Sequence, residues 1–162
     1  EEVEEVAVEE PEEKPDENVE EVEPPVEEPL STEESIEKFI NSTLGERTNT
    51  SRPTIDKISL VDGSLSIELN GNDNVTVGYI RDGMLSDAKK VLEHVKDYKD
   101  ITDDVFIAYM FDMTDQYGNT KPIQVLNIRF TQETLDKINF QGFSYKNFDT
   151  VADNFRLHPA FE

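Results

Sequence analysis

Two apolar runs on either side of a short turn place the strongest constraint on the fold. Val105–Phe111 and Ile123–Phe130 are rich in β-branched and aromatic residues, and Asp115–Asn119 between them contains the Asp, Gly and Asn that favour turns. This pattern predicts a β-hairpin. The first run has large apolar side chains at both odd and even positions, which is typical of a central strand covered on both faces. With a four-residue loop, the register would place Asp112 opposite Lys121.

A second hairpin is predicted upstream. The runs Ile55–Val61 and Ser64–Asn70 are joined by Asp62 and Gly63, and a two-residue Asp-Gly loop favours the type I′ turn that suits the twist of a hairpin. Counting outward from this turn gives three cross-strand pairs, which are Leu60 with Leu65, Ile58 with Ile67, and Lys57 with Glu68. The apolar pairs then share one face of the sheet and the opposite charges share the other.

Helical periodicity first appears after the N-terminal segment. Ser31 and Glu34 form a capping-box pattern that predicts a helix from Thr32 to about Thr43, which a following Gly can end. This helix either packs on the domain or caps the acidic segment before it. If it packs on the domain, it can cover Phe106 and Met110, which are otherwise left for a partner.

The main helix is amphipathic and is predicted to lie on the sheet. Apolar residues recur at three- and four-residue intervals over Met84–Val95, and Asp82 is expected to cap the start of the helix. The alternating residues Val75, Val77 and Tyr79 form either an edge strand or the beginning of this helix.

Two shorter helices are predicted near the C-terminus, one from about Gln132 to Ile138 after a capping Thr131, and one near Asp149–Arg156 that includes Phe155. Together the elements predict an α+β fold: a small antiparallel sheet of about four strands in two β-hairpins, packed by a main amphipathic helix and short C-terminal helices. The predicted divisions are an acidic stalk over residues 1–30, a helix and connector over 31–54, and a globular domain over 55–162.

Negative charge is concentrated in the stalk. Residues 1–30 contain 15 of the 37 acidic residues, one base and five prolines, and so carry −14 of the formal charge of −22. So little apolar surface does not offset the entropy of ordering, and we expect a disordered, extended, partly polyproline II segment that serves as a surface stalk or only as a solubilising extension. An acidic chain is repelled by nucleic acid and by anionic lipid, so we expect no nucleic-acid partner.

The chain contains no Cys and no run of about 18 apolar residues. Disulfides and thiolate chemistry are therefore excluded, and no spanning segment is predicted. Because the sequence begins at Glu1 rather than Met, we expect that a leader has been removed. Any membrane association would then depend on an anchor upstream of residue 1.

Two histidines are the first candidates for chemistry. His94 lies at the edge of the apolar stripe of the main helix, where a packing role is favoured over a ligand role. His158 precedes Pro159, and we expect it to anchor the C-terminus through a hydrogen bond.

The acidic residues around the central turn form a second candidate set. Asp112, Asp115 and Asn119, together with Asp103 and Asp104, offer the oxygen ligands that Ca²⁺ takes. Their spacing matches no EF-hand loop, and turn chemistry is a sufficient explanation for the turn residues. Neither a GxSxG elbow nor a P-loop occurs. No catalytic, cofactor-binding or metal-binding residue is therefore assigned, and no cofactor is expected.

Four segments together resemble a C-terminal domain of uncharacterised lipoproteins and membrane-anchored proteins of Gram-positive bacteria. They are Ile80–Lys90, Asp115–Asn119, Lys137–Phe140 and His158–Phe161, and the resemblance extends over residues 55–161. It implies an extracytoplasmic, cell-surface location and supplies no reaction. The lipidated Cys that such proteins carry is not in this sequence.

These observations predict a non-enzymatic cell-envelope module, displayed on the acidic stalk and binding a protein or a cell-wall component. One alternative is an intracellular acidic binding or inhibitor protein. Another is an enzyme with a carboxylate site, which would need polar side chains converging in a concave pocket.

Overall fold

Five strands and four helices follow one another along residues 29–162, the part of the chain described by the structure, which is a computed structural model. The helices are α1 (Thr32–Leu44), α2 (Val77–Val95), α3 (Gln132–Asp136) and α4 (Phe148–Val151). The strands are β1 (Ile55–Val61), β2 (Ser64–Asn70), β3 (Asp104–Thr114), β4 (Thr120–Thr131) and β5 (Asn154–Leu157). Apart from its last two residues, the predicted stalk lies outside the described residues.

The strands form one sheet in the order β1-β2-β3-β4-β5. Neighbours are antiparallel except β2 and β3, which are parallel and are joined by the crossover helix α2. The predicted α+β class, with a small sheet packed by helices, is confirmed. The sheet has five strands rather than about four, and a parallel pair joins its two hairpins.

The first hairpin agrees with its predicted register. Leu60 lies opposite Leu65, and Lys57 lies opposite Glu68. Asp62 and Gly63 in the turn have φ values of 50° and 84°, as a type I′ turn requires.

The second hairpin is longer than predicted, and its predicted register is wrong by one residue. Asp112 lies opposite Pro122, and Lys121 lies opposite Met113. The strands continue to Thr114 and Thr120, so the loop has five residues instead of four. A bulge also shifts the pairing where Tyr109 is followed by Met110.

Helix α1 packs on the domain beside α2. Its capping box is present, because the Ser31 hydroxyl accepts the N–H of Glu34 while the Glu34 carboxylate accepts the N–H of Ser31. Ile36 and Ile40 on its inner face are fully buried. The Phe39 ring stacks on His94 of α2 with the ring centres 3.6 Å apart.

Because α1 lies on the same side of the sheet as α2, it does not cover Phe106 and Met110. Val105 and Ile107 of β3 are fully buried and face the helices. Phe106 and Met110 are half-buried and lie outside the apolar core cluster. The prediction that both faces of the central strand are covered is therefore not met within residues 29–162.

Helix α2 begins earlier than predicted, and its cap is different. Thr76 is the N-cap, and its hydroxyl accepts the N–H of Tyr79 at 3.3 Å. Val77 and Tyr79 therefore belong to the first turn of the helix, not to an edge strand. Asp82, the predicted cap, lies inside the helix and contacts Arg81 at 3.3 Å.

The last predicted helix is wrong beyond Val151. Residues Asn154–Leu157 form β5, with Phe155 opposite Ile128 and Leu157 opposite Leu126. The helix predicted from Gln132 is present as the shorter α3, with Thr131 as its N-cap.

Candidate functional site

A cleft opens between the first half of α2 and the end of β2. Its apolar walls are Leu44, Ile80 and Met84, contributed by the end of α1 and by α2. The cleft encloses about 60 Å³, which is room for about four water molecules. It is therefore large enough to receive one substituent of a larger ligand.

Polar side chains without partners distinguish this cleft. In residues 29–162, five side-chain polar atoms are buried and lack a hydrogen-bond partner. Three of them belong to residues that line the cleft, namely the hydroxyls of Thr54 and Tyr109 and the amide oxygen of Asn70. Because an unpaired buried polar group costs about 1–3 kcal/mol, three such atoms on residues that line one opening make this cleft the candidate site.

The amide of Asn70 is held in one orientation by the chain before β1. Its side-chain N–H donates to the Pro53 carbonyl at 2.9 Å, and its backbone N–H donates to the Thr54 carbonyl at 2.9 Å. Rotating the amide would bring two oxygens together at Pro53. The Asn70 side-chain oxygen is therefore the atom left to accept a hydrogen bond.

Tyr109 lies at the centre of β3 on the helix-covered face and is 2% exposed. Burial raises the pKa of its phenol well above the usual value, and the nearby charge of Asp87 raises this pKa further. The hydroxyl is therefore protonated at neutral pH. It can donate and accept hydrogen bonds.

The rim of the cleft carries amide nitrogens and a carboxylate. The side-chain oxygen of Asn72 accepts the N–H of Asn49 at 2.9 Å, and that of Asn74 accepts the N–H of Val75 at 2.8 Å. Their NH₂ ends are the remaining donors. Asp87, whose carboxylate also accepts from Lys90 at 2.8 Å, supplies an acceptor.

Gly83 leaves part of the cleft wall without a side chain. It lies inside α2, where Gly costs about 1 kcal/mol relative to Ala. A Cβ atom placed there would meet no atom within 4 Å. Larger side chains at this position can therefore enter the cleft without a clash at the backbone.

A second depression lies between α2 and the C-terminal segment. It encloses about 240 Å³, and its floor is formed by Leu85, Phe148 and Phe155. Arg81 at its rim is paired with Asp82. None of the buried unpaired atoms belongs to its lining residues, so the cleft at Gly83 is the stronger candidate within the described residues.

The structure separates the acidic residues that were considered for Ca²⁺. Asp112 pairs with Arg52 at 2.5 Å, and Asp104 pairs with Arg129. Asp103 accepts from the hydroxyl of Ser64 at 3.0 Å. Over residues 29–162, no group of three or more acidic or histidine side chains is placed to hold a metal ion.

The turn residues serve the backbone, as predicted. Asp115 accepts the N–H groups of Tyr117 and Asn119, each at 2.9 Å. These hydrogen bonds, chiefly the one from the Asn119 N–H, lower the pKa of the Asp115 carboxyl. Gly118 provides the positive φ of 84°.

Both histidines have the structural roles predicted for them. His94 stacks on Phe39, and its ring nitrogen Nε2 lies 3.1 Å from the Tyr98 hydroxyl. Burial lowers the pKa of His94. The ring nitrogen Nδ1 of His158 accepts the N–H of Ala160 at 3.2 Å, and the backbone N–H of His158 donates to Val125 at 2.7 Å, which ties the C-terminus to β4.

The cleft was not predicted because Thr54, Asn70 and Tyr109 are far apart in the sequence. Two signals were present in the sequence. Tyr109 occupies an inward position of a strand whose other inward residues are purely apolar, and Gly83 interrupts the periodicity of the main helix.

No family model matches this chain, and no curated protein or solved structure matches it. None of the helices described in residues 29–162 is both long enough and apolar enough to cross a membrane.

Proposed function

We propose that this chain is a non-catalytic binding module of the cell envelope. Its acidic N-terminal segment holds the domain away from an attachment point, and the cleft receives part of a protein or cell-wall ligand. The observation that carries the proposal is the group of three buried, unpaired polar atoms on residues that line one opening. A ligand that pairs with them recovers the free energy lost when they were buried.

Binding is favoured over catalysis by the chemistry of the cleft. Its titratable residues are Asp87, Tyr79 and Tyr109, and burial holds the Tyr109 phenol protonated by raising its pKa. The two histidines, the usual general acids and bases, line no part of it and are engaged elsewhere. Display outside the cell is supported by the Glu/Val/Pro composition of residues 1–30 and by the resemblance to anchored proteins.

Sedimentation with purified, insoluble Gram-positive cell walls tests the binding. We expect the full chain to sediment with the walls, and Gly83→Leu to reduce retention at least fivefold because the new side chain fills the cleft. Tyr117→Ala is the control, since Tyr117 is 80% exposed on the distant β3–β4 turn. Equal retention of the wild type and Gly83→Leu, or no retention at all, would overturn the proposal.

Location is tested separately in the source cell. A protease added to intact cells should remove the epitope of the natural full-length protein while leaving a cytosolic marker intact. Full protection of the epitope would favour the intracellular alternative.

A further inference from the structure

We infer that the cleft binds a neutral saccharide, with one hydroxymethyl or acetamido substituent inserted among Thr54, Asn70 and Tyr109 and the sugar ring resting on Tyr79. This inference rests on the proposed function, because it names the ligand of the same site. It follows from the charge, the hydrogen-bonding capacity, the rim and the size of the cleft.

Charge disfavours an anionic group in the cleft, although Lys90 partly neutralises Asp87. Asp87 lines it, and its negative charge is felt at the buried Tyr109 hydroxyl. The unpaired amide oxygen of Asn70 accepts hydrogen bonds and carries no proton, so it cannot donate a hydrogen bond to an anion. Carboxylates and phosphates are therefore disfavoured.

Hydrogen-bonding capacity also disfavours a cation as the inserted group. Asn70 needs a donor, but the hydroxyls of Thr54 and Tyr109 also need acceptors for their protons. An ammonium group donates only and leaves those protons unpaired. Hydroxyl and amide groups both donate and accept, and so satisfy all three side chains.

The rim provides an apolar platform of the kind a sugar ring requires. Six large apolar side chains are exposed in residues 29–162, and one of them, Tyr79, lies in the first turn of α2 at the cleft. Tyr79 is 61% exposed and lines the cleft. The C–H face of a sugar packs on such a ring, while the NH₂ ends of Asn72 and Asn74 meet its outer hydroxyls.

Size sets how deeply the ligand enters. A volume of about 60 Å³ admits a hydroxymethyl or acetamido group but not a whole ring. The apolar walls Leu44, Ile80 and Met84 suit the methyl of an acetamido group. The ring then remains at the rim, within reach of Tyr79.

Titration of the isotope-labelled full chain, followed by amide NMR shifts, tests the inference. The probes are tri-N-acetylchitotriose and maltotriose as neutral saccharides, and D-alanyl-D-alanine as a charged wall peptide. We expect at least one saccharide to cause saturable shifts at Asn70, Asn72 and Gly83. The dipeptide should cause none there.

Three variants assign those shifts to the cleft. Gly83→Leu should abolish saturable binding, and Tyr79→Ala should weaken it about tenfold. Tyr117→Ala, the matched exposed tyrosine, should leave it unchanged. The spectrum of each variant reports whether it is folded, and Gly83→Ala offers a milder filling of the same space if Gly83→Leu does not fold.

The results separate this inference from the proposed function. If the cell walls retain the chain in a Gly83-dependent manner but neither saccharide shifts the cleft amides, the saccharide inference is overturned and the binding module stands. Shifts with the dipeptide alone, or saccharide shifts that persist in both Gly83→Leu and Tyr79→Ala, also overturn it. If wall retention fails as well, both are overturned.

Discussion

Replacing Tyr109 by Phe should stabilise the unliganded protein. The Tyr109 ring packs at the centre of the core between Leu69 of β2 and Leu126 of β4, and Phe keeps that packing. The substitution removes only the hydroxyl, which is buried and has no partner among the described residues. In the unfolded chain the substitution removes a hydroxyl that is hydrogen-bonded to water, whereas in the folded chain it removes an unpaired one. The free energy of unfolding should therefore increase.

The size of the gain follows from the burial of the hydroxyl. Leaving a buried donor or acceptor unpaired costs about 1–3 kcal/mol, and we expect Tyr109→Phe to recover about 1–2 kcal/mol of this. With a urea m-value of about 2 kcal/mol per molar, the midpoint should rise by about 0.5–1 M. The same substitution should weaken ligand binding, because the ligand loses one of its three partners in the cleft.

Tyr98→Phe is the matched control with the opposite sign. The Tyr98 hydroxyl is paired with His94 at 3.1 Å, so its removal should destabilise the protein by about 0.5–1.5 kcal/mol. Urea unfolding of the three proteins, followed by circular dichroism, measures both effects. Destabilisation by Tyr109→Phe would refute the reasoning, since it would mean that the hydroxyl has a bonded partner in solution.

Three further predictions concern the rest of the domain. The lowered pKa of His94 means that the unfolded chain takes up a proton at higher pH than the folded chain, so stability should fall as pH drops below about 6.5. His94→Phe should remove that part of the pH dependence measured by urea unfolding. Asp153→Ala should destabilise the protein by about 1–2 kcal/mol, since the Asp153 carboxylate accepts the N–H of Thr131 at 2.7 Å at the start of α3. Gly63→Ala should lower the thermal midpoint and cost about 1–3 kcal/mol, because φ is 84° and the new Cβ would clash with the Thr102 hydroxyl.

Controls separate the physical causes in these three cases. Gly118→Ala shares the φ of 84° but has no atom within 4 Å of the new Cβ, so it should cost less than Gly63→Ala. Equal costs would contradict the steric part of the argument. Asp153→Asn should retain part of the stability lost in Asp153→Ala, and an identical loss would show that charge alone matters. A pH profile unchanged by His94→Phe would assign the pH dependence to other groups.

Local patterns predicted the elements whose structure is determined by neighbouring residues. The Asp62-Gly63 turn sets its own register, because both residues take positive φ and β2 after the turn alternates between buried and half-buried residues. The capping box at Ser31 likewise gave the start of α1, since its two hydrogen bonds lie within four residues.

The wrong predictions have longer-range physical causes. Val151 and Phe155 are four residues apart, which is typical of a helix, yet Phe155 and Leu157 also alternate as a strand does, and pairing with β4 decides between the two. Asp112 faces Pro122 because the loop has five residues, and the further shift at Tyr109 comes from the extra residue Val125 in β4, which no local turn signal specifies. The cleft depends on Thr54 and Asn70 meeting Tyr109 across two strand pairings, so it exists only in the assembled sheet.

The single parallel pair in the sheet has a consequence for the order of folding. Each antiparallel hairpin closes a short loop, whereas pairing Leu65 with Val105 requires the whole crossover through α2. Closing a loop of that length costs conformational entropy before the strand contacts that offset it have formed. We therefore expect the two hairpins to form early and to join late. Destabilising the Asp62-Gly63 turn should therefore slow refolding more than an equal destabilisation of α2 does. The helix that walls the cleft is thus also the element that unites the two halves of the sheet.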